Sequence, residues 1–280
     1  MTAIRCWVLA IVIFTTLIGP HPADAGTFPA ASTDATVEVS SSIPRPAVTL
    51  GEPAYVLFSA RNKSTQDTTI NLGKNFTTGF RFTITKPEGA EIQAPVVGAH
   101  GMGAVGRVVV GAGKSYNRLL LINEWYRFVR PGKYQIQVKL LETPLMEPET
   151  VTNIWRSTRM KLTVLHRDPK RLNAVCQRLL RRALAASDLE AASQAALALS
   201  YVEDPVALPY LGQLLGANSD LSPTAIRGLV RISTPEAARV LESHLATAQG
   251  NLGVLIQEGI KEIKTGVHPT IMDSAHGWHS

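Results

Sequence analysis

The chain has 280 residues, 45% hydrophobic and 18% charged, with a formal net charge of +6 at pH 7. That balance excludes an intrinsically disordered chain and fits one large or two ordinary folded domains. The excess positive charge lies in the first half: residues 26–165 carry 16 Lys/Arg against 10 Asp/Glu, whereas residues 166–280 carry 11 of each. No basic stripe or base-reading motif accompanies it, so no nucleic-acid partner is expected.

In chain order, Arg5 comes first, followed by an apolar run from Trp7 to Ile18, a Gly19-Pro20 break and the small-residue pattern Ala23-Asp24-Ala25. A spanning helix needs roughly 20 apolar residues, and this run falls short of that. The three-part pattern predicts a signal peptide over residues 1–25, cleaved after Ala25, and hence an exported protein, periplasmic or extracellular, without a membrane span. Cys6 would leave with it. Cys176 is then the only cysteine of the mature chain, so no internal disulfide forms, and its apolar helical neighbours Val175 and Leu179 predict a buried thiol. Residues 26–35 are rich in Ala, Thr and Ser and read as a flexible leader.

From residue 36 to 165 the period is two. Strands are expected over Thr36–Ser40, Ala54–Ala60, Phe80–Thr85, Arg107–Val110, Leu119–Ile122, Tyr134–Leu140 and Met160–Leu165, separated by turns such as Asn62-Lys63-Ser64 and Lys86-Pro87-Glu88-Gly89. Many short punctuated strands argue an antiparallel β-sandwich. In Arg130-Pro131-Gly132-Lys133-Tyr134 a tight turn leads a tyrosine into the next strand, where its hydroxyl is placed to bond back to the backbone at the sheet corner. This corner resembles that of immunoglobulin-like domains, and Leu50-Gly51-Glu52-Pro53 before a β-rich run looks like the second strand of such domains, including the BsuPI-type proteinase-inhibitor family. The resemblance implies an architecture, not an activity, and the paired cysteines of antibody domains are missing. Gly101-Met102-Gly103-Ala104-Val105-Gly106 matches G-x-G-x-x-G literally. A strand-like Arg107-Val108-Val109-Val110 follows where a dinucleotide site needs a helix, so no cofactor is expected, and Pro95 to Gly113 reads as a mobile surface loop.

After His166 the period becomes 3.6. Asp168-Pro169 opens a helix with Leu172, Val175, Leu179, Leu180 and Leu184 on its apolar face. At an offset of 30, Ala195 matches Ala225, Leu199 matches Leu229, Val202 matches Ile232, Pro205 matches Pro235, Ala207 matches Ala237 and Leu211 matches Leu241. Asp168 to Leu179 also matches Asp204 to Leu215 at an offset of 36, the extra six residues being assigned to a loop at Ala183 to Glu190. Leu252 to Ile263 adds one more helix. These repeated helix pairs resemble the short HEAT-like repeats of the phycocyanobilin-lyase type, which implies a protein-binding scaffold. The expected organisation is multidomain, β then α: an immunoglobulin-like sandwich over 36–165, a short α-solenoid of HEAT-like pairs over 166–264 and a disordered tail over 265–280.

The sequence carries no catalytic motif: neither G-x-S-x-G nor H-E-x-x-H is present, and no histidine stands close to Cys176 in sequence. His268, His276 and His279 lack metal-ligand spacing, so no metal is expected. The expected function is non-enzymatic binding of a protein partner through the repeat surface. A polar column on the second helix of each pair, Asn173 and Gln177, then Gln213, then Arg239 and Ser243, is the candidate partner face, because i and i+4 positions share a helix face. The alternative is a sandwich that acts as a proteinase inhibitor or glycan binder, with Trp125, Tyr126 and Trp155 as candidate sugar-stacking residues, although packing in the strand core is the ordinary place for such aromatics.

Overall fold

The computed structural model describes residues 37–74, 78–95, 105–142, 152–157 and 159–266. The expected signal peptide, its cleavage site, the leader, residues 96–104 of the glycine-rich stretch and the histidine-bearing tail lie outside them; in the described part of that stretch Val105–Val110 is strand and not loop, because it pairs with Thr68–Lys74. The described residues form one compact unit, a β-rich part followed by six helices.

The strands are β1 (Val37–Ser42), β2 (Ala47–Thr49), β3 (Tyr55–Asn62), β4 (Thr68–Lys74), β5 (Phe80–Thr85), β6 (Glu91–Gln93), β7 (Val105–Val110), β8 (Ser115–Leu121), β9 (Gly132–Glu142), β10 (Thr152–Arg156) and β11 (Met160–Leu165). One sheet runs β1-β3-β8, a larger one runs β2-β11-β9-β5-β6 with β10 also on β9, and β4 pairs with β7. All pairings are antiparallel except β2 with β11, which is parallel. Alternation explains the packing: Val56, Phe58 and Ala60 of β3 are fully buried, while the residues between them are half-buried or exposed. They meet Phe80, Phe82 and Ile84 of β5 and Ile136 and Val138 of β9 in one shared core, and Phe58 meets Phe80 edge-on across the two sheets at 5.0 Å. Each such Val, Ile or Phe side chain contributes about 1.5–3 kcal/mol by burial. The corner tyrosine does as its sequence predicts: Tyr134 Oη donates to Arg130 O at 2.8 Å.

The helices are α1 (Pro169–Ala185), α2 (Leu189–Ser200), α3 (Leu208–Ala217), α4 (Ser222–Ile232), α5 (Pro235–Leu245) and α6 (Asn251–Thr265). Asp168, Asp188 and Thr234 cap α1, α2 and α5 by accepting from backbone N–H groups of the first turn. Asp204-Pro205 opens a 3-10 turn, Pro205–Ala207, before α3, so the second Asp-Pro starts its helix three residues later than the repeat alone suggests. The extra residues between repeats sit mostly inside a longer α1, leaving a connection of only 186–188. α1, α3 and α5 pack as one layer and α2, α4 and α6 as the other. The repeat columns are the shared core: Leu199, Leu229, Ala207, Ala237, Leu211 and Leu241 are all fully buried.

The two parts are joined by a charged seam. Gly51, at φ +85, lets the turn after β2 close against Leu172 of α1. The turn drives the Glu52 carboxylate inward, where it accepts from Thr49 N at 3.0 Å and from Arg45 at 2.9 Å, and pairs with Arg171 Nε of α1 at 2.7 Å. Arg171 also donates to Ala47 O of β2 at 3.0 Å. Arg167 with Asp204, and Arg127 with Glu203, complete the seam.

Candidate functional site

Two concavities open along this seam. The smaller, about 240 Å³, is bordered by Arg127, Glu203, Arg167 and Asp204. Its charges are already matched: Arg167 and the Val206 N–H hold the Asp204 carboxyl below its usual range, against the opposing effect of burial. Burial pushes Glu203 up, while Arg127 and Arg231 pull it back. Nothing in it calls for a ligand.

The larger is a cleft of about 530 Å³ between the outer face of β3 and β8 and the helices α1, α2 and α4. Its sandwich wall carries Tyr55, Leu119 and Leu121, and its helical wall carries Val175, Leu179 and Leu197. Five arginines line it: Arg45, Arg118, Arg178, Arg182 and Arg227. Arg45 is engaged by Glu52, and Arg118 reaches Glu190 of α2 at 3.8 Å across the cleft. Arg178 and Arg182, one turn apart on α1 and exposed, have no acidic partner among the described residues, and neither has the half-buried Arg227 of α4, whose Nε reaches only Pro223 O at 3.4 Å. Burial, and then the neighbouring Arg231, push the Arg227 pKa down, the signature of a guanidinium held without enough negative charge nearby. Burial raises the Tyr55 hydroxyl to about 12 against the pull of Arg182, Arg45 and Arg178, so it stays neutral.

Glu124 also lines the cleft, in the 3-10 turn Ile122–Glu124 after β8. Burial pushes its pKa from 4.5 up to about 7, with Arg231 and Arg118 pulling it back. The unfolded chain therefore releases this proton near pH 4.5 while the folded chain holds it to about pH 7. Bound protons are then fewer in the unfolded state, so this group's contribution to stability falls as pH rises through that window. Glu124→Gln is expected to flatten the fall in the urea midpoint between about pH 5 and pH 7.5. An unchanged slope in the variant would place the titration elsewhere.

The five residues nominated from sequence, Asn173, Gln177, Gln213, Arg239 and Ser243, are exposed on the α1-α3-α5 layer and do not line the cleft. Asn173 accepts from Tyr210 Oη at 2.7 Å, Arg239 pairs with Glu236 at 2.6 Å and Ser243 donates to Val240 O at 2.8 Å. The candidate sugar platform is dispersed: Trp125 is buried against Phe82, Trp155 packs edge-on to Phe58, and Tyr126 packs on Phe128. Cys176 is buried, as expected, and burial, then Asp204, raise its thiol to about 12, so it is no nucleophile. The cleft arginines escape sequence reading because they come from the β1–β2 connection, β8, α1 and α4, far apart in the chain, and look like ordinary solvated positions. The only local hint is the i, i+4 spacing of Arg178 and Arg182 beside the apolar Val175 and Leu179.

No family model matches the chain, and no curated protein matches it. Several solved structures share part of its shape. The alkylpurine DNA glycosylase AlkC of Pseudomonas fluorescens is 12% identical, over 46% of this chain and 30% of the glycosylase, with a TM-score of 0.24. A CARDB domain from Pyrococcus furiosus, solved with di-metal ions, is 11% identical over 49% of this chain and 100% of that domain, with a TM-score of 0.26. The sporulation control protein Spo0M of Bacillus subtilis is 9% identical over 51% of this chain and 56% of its own, with a TM-score of 0.27. The chain thus spans less than two thirds of the glycosylase and of Spo0M, and likeness at this level carries no argument about function. No helix among the described residues is long and apolar enough to cross a membrane.

Proposed function

We propose that this chain is a non-enzymatic binding protein, exported after loss of residues 1–25, in which an immunoglobulin-like sandwich and a HEAT-like array together form one binding cleft for an anionic partner. The observation that carries the reading is the set Arg178, Arg182 and Arg227, three cleft-lining guanidinium groups without an acidic partner among the described residues, beside apolar walls. Arginine presents a flat fork of donors that suits carboxylates, and it is weakly hydrated, so it gives up water readily when a ligand arrives. The apolar walls supply burial and the arginines supply orientation, the usual division of labour in a binding cleft. The partner face moves accordingly, from the outer column at Gln213 and Arg239 to the inner side of α1.

The test is fluorescence anisotropy with a labelled acidic peptide of mixed Glu and Leu. Reversing both Arg178→Glu and Arg182→Glu is expected to weaken binding at least ~30-fold, since partly solvated charge pairs contribute about 1 kcal/mol each and reversal adds repulsion. Added negative charge on the outer column, Gln213→Glu with Arg239→Glu, is expected to leave it within about twofold, the usual scatter of surface changes. The opposite pattern would move the partner to the outer layer and sink the cleft reading.

A further inference from the structure

We infer that the ligand of this cleft is an extended acidic polypeptide segment, which adds as one more strand along the free edge of β8. The inference rests on the cleft being the binding site and adds the class and posture of the ligand. Asn62 N donates to Lys114 O at 2.9 Å and Ile122 N to Ala54 O at 2.8 Å, at the two ends of the β3–β8 pairing. In an antiparallel ladder the bonded pairs alternate, so the even-numbered residues of β8 face β3, and Asn117, Leu119 and Leu121 turn their N–H and C=O groups away from it.

Among the described residues no strand takes up that edge. β7 precedes β8 by a tight turn, yet it pairs with β4. Asn117 is exposed, and so is Leu119, at 45%. An open edge of this kind invites strand addition, in which main-chain bonds give affinity and alternate side chains give specificity.

The charge of the cleft decides what kind of strand. Leu119 and Leu121 lie across from Leu57 and Tyr55 of β3, on the outer face that forms the cleft wall. An added strand would bond to Asn117 and Leu119 through residues whose side chains point to that same face, toward Arg178 and Arg182. These two arginines are four residues apart, about 6 Å along the helix. Alternate residues of an extended strand are about 6.8 Å apart. A segment with acidic residues at every second position therefore matches the pair in charge, and its repeat is close to theirs where the strand runs along α1. A helical segment would not bond to the edge, and a basic one would be repelled.

The experiment is isothermal titration of the full chain with a synthetic peptide alternating Asp and Val, as long as the seven residues of β8. Two variants are made, one N-methylated at the Asp positions and one at the Val positions. Methylation at Asp removes the N–H groups that face β8 and is expected to cost at least about tenfold, whereas methylation at Val points outward and is expected to cost less than about threefold. Equal binding of the parent and Asp-methylated peptides would overturn strand addition while leaving an anion-binding cleft. Failure of the parent peptide and of the mixed Glu and Leu peptide to bind at all would overturn both readings.

Discussion

Glu52→Ala is expected to lower the free energy of unfolding by about 2–3 kcal/mol, measured by urea denaturation. The Glu52 side chain is 1% exposed and is the common acceptor for Arg45, Arg171 and the Thr49 N–H. Its loss leaves the buried Thr49 N–H without an acceptor, which is the larger part of the cost. The arginine side chains are 56% and 34% exposed, so they can recover water, and the cost stays at the lower end for a buried pair. Glu52→Gln keeps the shape and one acceptor oxygen, and should fall between wild type and the alanine variant. The seam also has a cooperative consequence. Arg171 belongs to α1 and Glu52 to the turn after β2, so the carboxylate ties the helical part to the sandwich. The wild type is expected to unfold in one transition, and the alanine variant to show its two parts separating. A loss under ~1 kcal/mol with a single transition would mean that apolar contact between Gly51 and Leu172 carries the seam instead.

Gly228→Ala is expected to destabilise by about 2 kcal/mol, although alanine is the better helix former by about 1 kcal/mol. A Cβ on Gly228 would stand 2.8 Å from Ser200 Cα and 2.9 Å from Leu211 Cδ2. The first of these is backbone, so α2 and α4 would have to move apart, and every repeat contact between them would loosen. Gly253→Ala in α6 is the matched control, with its nearest neighbour 3.8 Å away. There the propensity term acts alone, and a gain of about 0.5 kcal/mol is expected. The readout is the shift in thermal midpoint of the two variants, which should have opposite signs. If both rise, α2 and α4 are not held at contact distance.

Alternation was enough to read β3, β5, β9 and β11, because each buries one face or both against the other sheet and a period of two records that directly. The strands that escaped, β2, β4, β6 and β10, are short or polar: β2 and β6 have three residues each, and β4 reads Thr-Thr-Ile-Asn-Leu-Gly-Lys. They are strands because a neighbour supplies hydrogen bonds, which is a non-local cause. The helices were legible for the opposite reason. Their apolar columns repeat at a fixed offset because each pair buries the same face against the next, and Asp or Thr before Pro sets the starts of α1 and α5. The Asp204-Pro205 start differs by a few residues because the chain first closes a 3-10 turn.

By itself, then, the sequence determined the order of β then α, the tyrosine corner, the repeat of the helices and the buried place of Cys176. All of these follow from periodicity and local capping, which act over a few residues. Only the tertiary structure decided that Glu52 is the acceptor of the seam, that Trp125 is core, that no described strand takes up the outer edge of β8, and that Arg178, Arg182 and Arg227 face one cleft. Those are meetings between residues distant in the chain. Charge along a helix face looks the same in sequence whether it points to solvent or across a cleft, and packing alone distinguishes the two.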